Sequence, residues 1–256
     1  MKTLLAADEP APVRLLRPDG ASDFVLAADH AGRLIPRALG DLGLDDAERR
    51  RHIAWDIGIA GVTEILSELL DAPAVLQVYS RLVIDCNRAL HHPGSIPVIS
   101  ELTPIPGNEN LSAEDRSARQ QAIFAPYHAA IAGLLDRRRD ARRRAVLVAM
   151  HSFTPVFKAV ARRVEVGVLF HHETPLSRVM LDLLRGEGDL VVGANEPYAI
   201  TDDSDYTVPV HGEGRALDHV EIEIRQDLIA DGGGQRRWAE RMARLLRAAD
   251  RRLRPG

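Results

Sequence analysis

Short apolar segments that alternate with segments of helical periodicity constrain the fold of this chain most strongly. The segment AVLVAM, at residues 145–150, has the length of a strand that is buried on both faces. Length and apolar pattern predict further strands at residues 23–29, 74–79, 82–84, 164–170 and 219–225. Helical spacing predicts helices at residues 56–70, 112–140 with an interruption at Pro126, 174–186 and 235–253. This order predicts a three-layer α/β/α fold around a mostly parallel mixed sheet.

The chain has the length and composition of a single globular domain over residues 1–256. Hydrophobic residues make up 45% of it and charged residues 27%, which excludes wholesale disorder and supplies a substantial core. Residues 1–20 are rich in proline and predict an irregular tail or edge. Two long polar loops, at residues 89–111 and 194–215, are candidates for functional segments, because loops of this length are uncommon inside compact domains.

Net charge and cysteine content exclude several classes of protein. The formal net charge is −4, so no global basic field is available to hold a nucleic-acid backbone. The arginine-rich run at residues 137–144 is interpreted as the solvated end of a helix. The single cysteine, Cys86, excludes a disulfide framework and a thiolate zinc cluster. We expect Cys86 to be a buried structural thiol rather than a nucleophile.

The same composition gives expectations about location. The longest apolar runs are shorter than the roughly 20 residues that a membrane-spanning helix needs. The apolar run within the first residues, MKTLLAADEPAP, is too short for a secretory signal. We therefore expect a cytoplasmic protein without a membrane partner. The oligomeric state stays open, and a homo-oligomer is one alternative.

Polar residues with catalytic or metal-binding chemistry follow several predicted strands. Ligands of open α/β sheets bind at the carboxyl ends of the strands, so these residues are candidates for one site. They are His30, Asp85 with Asn87 and Arg88, His151, and the run His171-His172-Glu173. A hydrolytic zinc site needs about three histidine or carboxylate ligands and a separate carboxylate base. The chain has these residue types but no HExxH motif. The alternative is that each histidine only makes structural hydrogen bonds.

Six blocks of sequence, taken together, are typical of one known family. They are DHAGRLIP at 29–36, HIAWDIG at 52–58, SRLVIDCNR at 80–88, MHSF at 150–153, HHE at 171–173 and HGEGRALDHVEIEIRQDLI at 211–229. With them the chain resembles the N-formylglutamate amidohydrolase family, which is similar in fold to zinc-dependent exopeptidases of the carboxypeptidase and succinylglutamate desuccinylase type. The resemblance implies a phosphorylase/hydrolase-like fold and one Zn²⁺ ion per chain.

The resemblance also implies roles for individual residues. His151-Ser152-Phe153 is similar to the His-Ser-Tyr segment that supplies a zinc ligand in the exopeptidases. Glu223-Ile224-Arg225 is similar to their Glu-Leu-Arg segment, whose glutamate is the catalytic base. Asn87-Arg88 is similar to the pair that holds a substrate carboxylate. The exopeptidases have an HxxE ligand pair, but position 33 here is arginine, so we expect Asp56 to be the second ligand. The expected metal ligands are His30, Asp56 and His151.

Neighbouring residues extend the expected site. Strand alternation places Glu221, Glu223 and Arg225 on one face, and Glu221 is the rival of Glu223 as the base. We expect His211, on a glycine-flanked polar loop, to stabilise a developing oxyanion or contact the substrate. The residues expected to bind substrate are Arg88, Asn87, Arg81 and Arg225.

Each of these roles has a structural alternative. Asp56 is also a plausible N-cap of the helix that follows it. Arg81 and Asp85 are spaced to form an ion pair with no role in binding. Glu221 or Glu223 is alternatively a salt-bridge partner of a nearby arginine, and His211 an ordinary exposed loop residue.

Three functions are consistent with these residues. The first is a zinc-dependent hydrolase that cleaves the amide bond of a small N-acyl amino acid, similar to N-formyl-L-glutamate. The second is a catalytically silent carboxylate-binding protein of the same fold. The third is a metal-independent hydrolase that uses Ser152 or another serine beside His151, which ranks lowest because the chain has no GxSxG motif.

Overall fold

A computed structural model describes residues 3–201 and 205–254 of the chain. Within these residues, seven strands build a central sheet and four more form two short hairpins. The strands are β1 (Val13–Leu16), β2 (Phe24–Ala28), β3 (Ala74–Gln77), β4 (Ile99–Ser100), β5 (Thr103–Pro104), β6 (Val146–Phe153), β7 (Val156–Phe157), β8 (Val160–Ala161), β9 (Val166–Leu169), β10 (Val192–Ala194) and β11 (Asp218–Arg225). The α-helices are α1 (Ile59–Leu70), α2 (Ala113–Arg119), α3 (Ala125–Asp140), α4 (Pro175–Gly186) and α5 (Gly232–Leu253).

The central sheet has the strand order β1-β3-β2-β6-β11-β9-β10. Strands β3, β2, β6 and β11 are parallel, and β10 is parallel to β9. Strand β1 is antiparallel to β3, and β9 is antiparallel to β11. The predicted mostly parallel mixed sheet is thus confirmed. The carboxyl ends of β3, β2, β6 and β11 meet at one edge, called the upper edge below, and the opposite edge is called the lower edge.

The direction of β9 overturns one expectation about the strand ends. His171-His172-Glu173 follow this strand and were expected beside the other strand-end residues. Because β9 is antiparallel to β11, its last residue, Leu169, pairs with Glu221, whereas Val166 pairs with Ile224 further along β11. The chain therefore leaves β9 at the lower edge, and the two histidines lie away from the upper-edge residues.

Helices cover both faces of the sheet, which confirms the predicted three layers. Successive residues of β2 point to opposite faces. Leu26 packs in one buried cluster with Leu66 of α1 and Met242 of α5. Val25 packs in a second cluster with Leu135 of α3. None of the helices in the described parts of the chain combines the length and apolar character needed to cross a bilayer.

The predicted strand at residues 82–84 is wrong. Leu82, Val83 and Ile84 are buried as their apolar character suggests, but they form turns rather than a strand. Side chains take the place of strand pairing: Asn108 Nδ2 donates to the Leu82 carbonyl at 2.8 Å, and Arg119 Nη1 donates to the Val83 carbonyl at 2.9 Å. Both carbonyls are therefore satisfied without a neighbouring strand.

The helix predicted at residues 112–140 is interrupted, as expected, near Pro126. Helix α2 passes into a wide π-turn at Gln120–Phe124 before α3 begins at Ala125. Proline lacks a backbone N–H and is tolerated in the first turn of a helix, where no N–H partner is needed. The chain therefore changes its winding just before Pro126, and α3 begins there.

The N-terminal segment is less irregular than its prolines suggest. Residues 13–16 form β1, which pairs with β3 at the edge of the sheet. The Tyr79 hydroxyl also donates to the Pro10 carbonyl at 2.7 Å. An irregular tail was expected over residues 1–20, and within it residues 13–16 form a regular edge strand.

Candidate functional site

Three of the expected residues converge at the upper edge of the sheet. His30 follows the end of β2, and His151 lies near the end of β6. The Asp56 N–H donates to the His30 carbonyl at 2.9 Å, which fixes the segment before α1 against the end of β2. One donor atom from each of His30, Asp56 and His151 lies within 4.8 Å of the others, and all three residues are buried.

The two histidines are oriented by carboxylates on their outer side. His30 Nε2 lies 2.7 Å from Asp85 Oδ1, and His151 Nε2 lies 3.1 Å from Asp29 Oδ2. With Nε2 of each ring directed at its outer carboxylate, the Nδ1 atom of each ring is directed at Asp56. His151 Nδ1 lies 3.0 Å from Asp56 Oδ2. His30 Nδ1 lies 3.5 Å from the same oxygen and has no hydrogen bond.

This donor set fits a metal ion. Two imidazole nitrogens and a carboxylate oxygen are ligands that Zn²⁺ prefers, and a second carboxylate behind each imidazole is the usual support of such ligands. Among the described residues, the buried Nδ1 atom of His30 has no hydrogen-bond partner, and such an atom is costly to bury unless something binds it. The residues His30, Asp56 and His151 therefore have the chemistry and placement to hold a divalent cation.

The charges around this centre favour a positive occupant. Burial acts to lower the pKa of His151, but Glu221, Asp29 and Asp56 outweigh burial and hold that pKa well above its usual value. Burial acts to raise the pKa of Asp56, but His30 and His151 outweigh it and hold that pKa below its usual value. The carboxylates thus stabilise positive charge here, which either protons or a cation supply.

Asp56 does not cap the helix that follows it. Helix α1 begins at Ile59 with Gly58 as its N-cap, three residues later than the predicted start. Asp56 Oδ2 instead accepts from the Ser152 backbone N–H at 3.1 Å and faces the two histidines. The capping alternative for Asp56 is therefore excluded.

Arg81 forms an ion pair with Asp85, which is the structural alternative to a role in substrate binding. Its Nε and Nη2 atoms both donate to Asp85 Oδ2, at 3.1 and 2.6 Å, and its Nη1 lies 3.5 Å from Asp56 Oδ1. Because Asp85 also binds His30, Arg81 holds the carboxylate that orients a candidate ligand. Arg81 lines the cleft described below, but two buried carboxylates already occupy its guanidinium.

Asn87 and Arg88 follow Asp85. The polar atoms of Asn87 are bound within the fold, whereas the Arg88 side chain is partly exposed. Asn87 Oδ1 accepts from the backbone N–H groups of Tyr206 and Thr207, both at 2.9 Å, and its Nδ2 donates to Asp205 at 3.0 Å. Asn87 therefore holds the loop at residues 205–207. The Arg88 side chain is 26% exposed and lies 3.5 Å from Asp205.

Glu221 and Glu223 both line the cleft, so their predicted common face is confirmed. In register, Glu223 lies opposite His151 on β6, and Glu221 lies opposite Ala149. One carboxylate oxygen of each glutamate is buried without a hydrogen bond to the part of the chain that the structure describes. Burial raises the pKa of Glu223 to about 7 and the pKa of Glu221 well above its usual value. A carboxylate with a pKa near neutrality suits proton transfer.

Two expected residues are not brought into the cleft. Arg225 donates to the Asp227 carboxylate at 2.8 Å and to backbone carbonyls of residues 162–164. His211 lies in a π-turn at Val208–Gly212, where its Nε2 is 3.0 Å from His128 Nδ1. Burial lowers the pKa of His211 to about 4. Neither residue lines the cleft, and His211 is buried rather than exposed on a loop.

The cleft encloses about 460 Å³ above the histidines. Some of its polar side chains were not anticipated: His52, His92, Glu101 and Tyr198. They come largely from the two long loops, whose length was the only signal for them. Asp29 was also missed as a functional residue, although it directly follows the apolar run of β2. Its pKa is lowered to about 2, because the partners His151, His30 and Thr207 outweigh the effect of burial.

A family model described as N-formylglutamate amidohydrolase matches residues 22–230 of the chain. This range contains every residue that lines the cleft. No curated protein matches the chain.

Two solved structures are similar over nearly the whole chain. The crystal structure of gene product Atu2144 from Agrobacterium tumefaciens is 36% identical, covers 98% of this chain and 99% of its own, and has a TM-score of 0.95. The crystal structure of N-formylglutamate amidohydrolase from Ralstonia eutropha JMP134 is 20% identical, covers 94% of this chain and 98% of its own, and has a TM-score of 0.69. At that lower identity the likeness shows the fold alone.

Proposed function

This chain belongs to the N-formylglutamate amidohydrolase family and is an amidohydrolase, and from that premise we propose that it is a zinc-dependent hydrolase of small N-acyl amino acids similar to N-formyl-L-glutamate. One observation carries the proposal. Donor atoms of His30, Asp56 and His151 converge, and these three residues line the same cleft as Glu223. A ligand set next to a separate carboxylate is what metal-assisted amide hydrolysis needs.

One Zn²⁺ ion is proposed to be held by His30, Asp56 and His151, with Asp85 and Asp29 supporting the two histidines. Zinc in such a site supplies Lewis acidity, which polarises a substrate carbonyl and lowers the pKa of water. The donor set contains no thiolate and two imidazoles, which favours zinc over the oxygen-binding ions Mg²⁺ and Ca²⁺.

Glu223 is proposed to move the proton. In register it lies opposite His151, whereas Glu221 lies opposite Ala149, two residues earlier on the same face. A free oxygen of Glu223 has no hydrogen bond that would compete with water. Glu223 takes the proton from the attacking water and passes it to the leaving amine nitrogen.

Arg88 is proposed to bind a substrate carboxylate. It lines the cleft and is partly exposed, whereas Arg81 is bound to two buried carboxylates and Asn87 to the backbone of the 205–207 loop. A planar guanidinium matches a carboxylate with two parallel hydrogen bonds. The substrate is thus expected to carry its carboxylate at the mouth of the cleft and its acyl group near His151.

Ser152 is not in position to replace the metal. Its hydroxyl donates to the Ile57 carbonyl at 2.9 Å, and its backbone N–H donates to Asp56. Both nitrogens of His151 are engaged by aspartates instead of by Ser152. A serine nucleophile needs a histidine within hydrogen-bonding distance of its hydroxyl, so this alternative has no support in the geometry.

The proposal is tested by metal analysis combined with a substrate panel. The panel contains N-formyl, N-acetyl and N-succinyl derivatives of glutamate, aspartate and a neutral amino acid. We expect hydrolysis of N-formyl-L-glutamate or a close analogue, loss of that activity after chelation, and recovery when Zn²⁺ is added. Full activity in a verified metal-free sample contradicts the zinc mechanism. Binding of the panel without turnover of any member, in a zinc-loaded sample, favours the silent binding protein.

Replacement of Arg88 by lysine is expected to lower kcat/KM for substrates that carry a free carboxylate. Lysine keeps the charge but loses the fork, at a cost of roughly 1–3 kcal/mol, or about 5- to 150-fold in kcat/KM. The measurement compares N-formyl-glutamate with its α-amide and with N-formyl-glutamine. The derivative whose kcat/KM no longer responds to the mutation identifies the carboxylate that Arg88 binds.

The matched control is Arg236→Lys, which changes an exposed arginine on α5. This variant is expected to keep the kinetics of the unmodified chain for all three compounds. An equal loss for the acid and both amides in Arg88→Lys would remove Arg88 from carboxylate recognition.

A further inference from the structure

A second group of potential metal ligands lies at the lower edge of the sheet. His171 and His172 follow the end of β9, and Glu213 begins a 3₁₀ turn, Glu213–Arg215, that precedes β11. One donor atom from each of these three residues lies within 4.8 Å of the others. This group is separate from His30, Asp56 and His151, because β9 and β6 deliver their last residues to opposite edges.

Both histidines face the same partner. His171 Nδ1 lies 3.3 Å from Glu213 Oε2, and the His172 backbone N–H donates to Glu213 Oε1 at 3.2 Å. The two rings lie side by side, with centroids 4.1 Å apart. Strand alternation would have sent adjacent side chains to opposite faces, but β9 ends at Leu169, so the rule does not apply here.

His219 supplies an independent observation that points to a ligand. It is 4% exposed, and its Nδ1 lies 2.9 Å from the Leu217 carbonyl, to which it donates. The remaining lone pair is therefore on Nε2, which is buried and has no hydrogen bond to any residue that the structure describes. This Nε2 lies 3.7 Å from Glu213 Oε1. Two atoms that both accept thus face each other, and a metal ion between them would bind both.

We propose that His171, His172 and Glu213 form a second, structural zinc site, which the buried Nε2 of His219 faces. Two imidazoles and one carboxylate, with a further imidazole beside the carboxylate, suit Zn²⁺ rather than Mg²⁺ or Ca²⁺, which need more oxygen donors. His172 is exposed and His171 partly exposed, so an ion has a path from solvent. This site is independent of the function proposed for the cleft.

The site joins two segments that are distant in sequence. His171 and His172 lie three and two residues before Thr174, the N-cap of α4, whose hydroxyl also donates to the His219 carbonyl at 3.2 Å. Glu213 ends the long loop that starts after β10. A bound ion therefore fixes the start of α4 to the turn before β11, and its contribution is to stability rather than to catalysis.

The test is zinc stoichiometry in variants of the full chain, with Zn²⁺ alone as the probe. Each variant is stripped with chelator, equilibrated with micromolar Zn²⁺ and analysed for metal and melting temperature. His151→Ala impairs the cleft site, so it is expected to retain about one zinc ion and to melt higher with zinc than without. The double variant His151→Ala/Glu213→Gln is expected to lose both the ion and the zinc-dependent rise in melting temperature.

His172→Ala provides a second variant, because an exposed side chain can be removed without harm to the core. It is expected to lower zinc affinity at this site by at least about 10-fold while hydrolysis in the cleft is unchanged. His91→Ala, which also removes an exposed histidine, is the matched control and is expected to change neither. Equal zinc content in His151→Ala with and without Glu213→Gln would overturn the second site. If the cleft held no zinc, the unmodified chain would bind one ion, and Glu213→Gln would remove it. Failure of the zinc site in the cleft can therefore be distinguished from failure of the second site.

Discussion

Replacement of His151 by alanine is expected to abolish both metal binding in the cleft and amide hydrolysis. The change removes one of three ligands and leaves Asp29 and Asp56 buried without the group that lies between them. Unpaired buried carboxylates are costly, and breaking such an arrangement costs about 3–5 kcal/mol of stability. The measurements are cleft metal content, hydrolysis of the best substrate and the free energy of unfolding.

Asp29→Asn separates a ligand effect from a loss of folding. This milder variant keeps the His151 ring but replaces the carboxylate that orients it. Mutation of such an outer partner is expected to weaken metal affinity by about 10- to 100-fold, and high zinc concentration should restore activity. The deciding sample is the double variant His151→Ala/Glu213→Gln, in which the second site is removed as well. If this variant is folded, keeps its full cleft metal content and hydrolyses substrate normally, His151 is excluded as a ligand.

Glu223→Gln is expected to lower kcat by about 10²- to 10⁴-fold, the usual contribution of a general base. Glutamine preserves the shape of the side chain but cannot take a proton from water. Metal content and KM should stay close to those of the unmodified chain, because the change affects the transition state and not the ligand set. Steady-state kinetics and metal analysis of the same preparation provide both quantities.

Glu221→Gln is the matched control for this prediction. It makes the same chemical change two residues earlier on the same strand face, and it is expected to reduce kcat much less. Loss of metal from Glu223→Gln would reassign Glu223 as a ligand. An inactive Glu221→Gln beside a nearly normal Glu223→Gln would move the base to Glu221.

The sequence predicts the main strands and helices because each has a local signature. The all-apolar run before His151 identifies β6, and the alternation of HVEIEIR correctly places Glu221 and Glu223 on one face. The convergence of His30 and His151 also follows from local pattern, since both lie at the ends of strands that turn out to be parallel neighbours. These inferences need only the periodicity of the strand and the rule that parallel strands end at one edge.

What the sequence does not predict depends on tertiary pairing. The direction of β9 is set by its partner β11, and nothing in VGVL itself indicates it, so the edge that receives His171 could not be inferred. The position of Arg225 likewise depends on carbonyls of residues 162–164 that pack beside it only in the fold. His211 pairs with His128, which is 83 residues away along the chain.

Because residues 82–84 form turns, the geometry of the cleft depends on residues that do not line it. Arg81 and Asp85 flank these turns, and the turns are held by side chains of Asn108 and Arg119 instead of by a strand. Arg119 also donates to Asn108 Oδ1 at 2.6 Å, so the two supports act together. A related chain that keeps every cleft residue but lacks this arginine has to satisfy the carbonyl at position 83 by another donor. The arginine–asparagine pair is therefore a criterion for deciding which relatives build the same cleft.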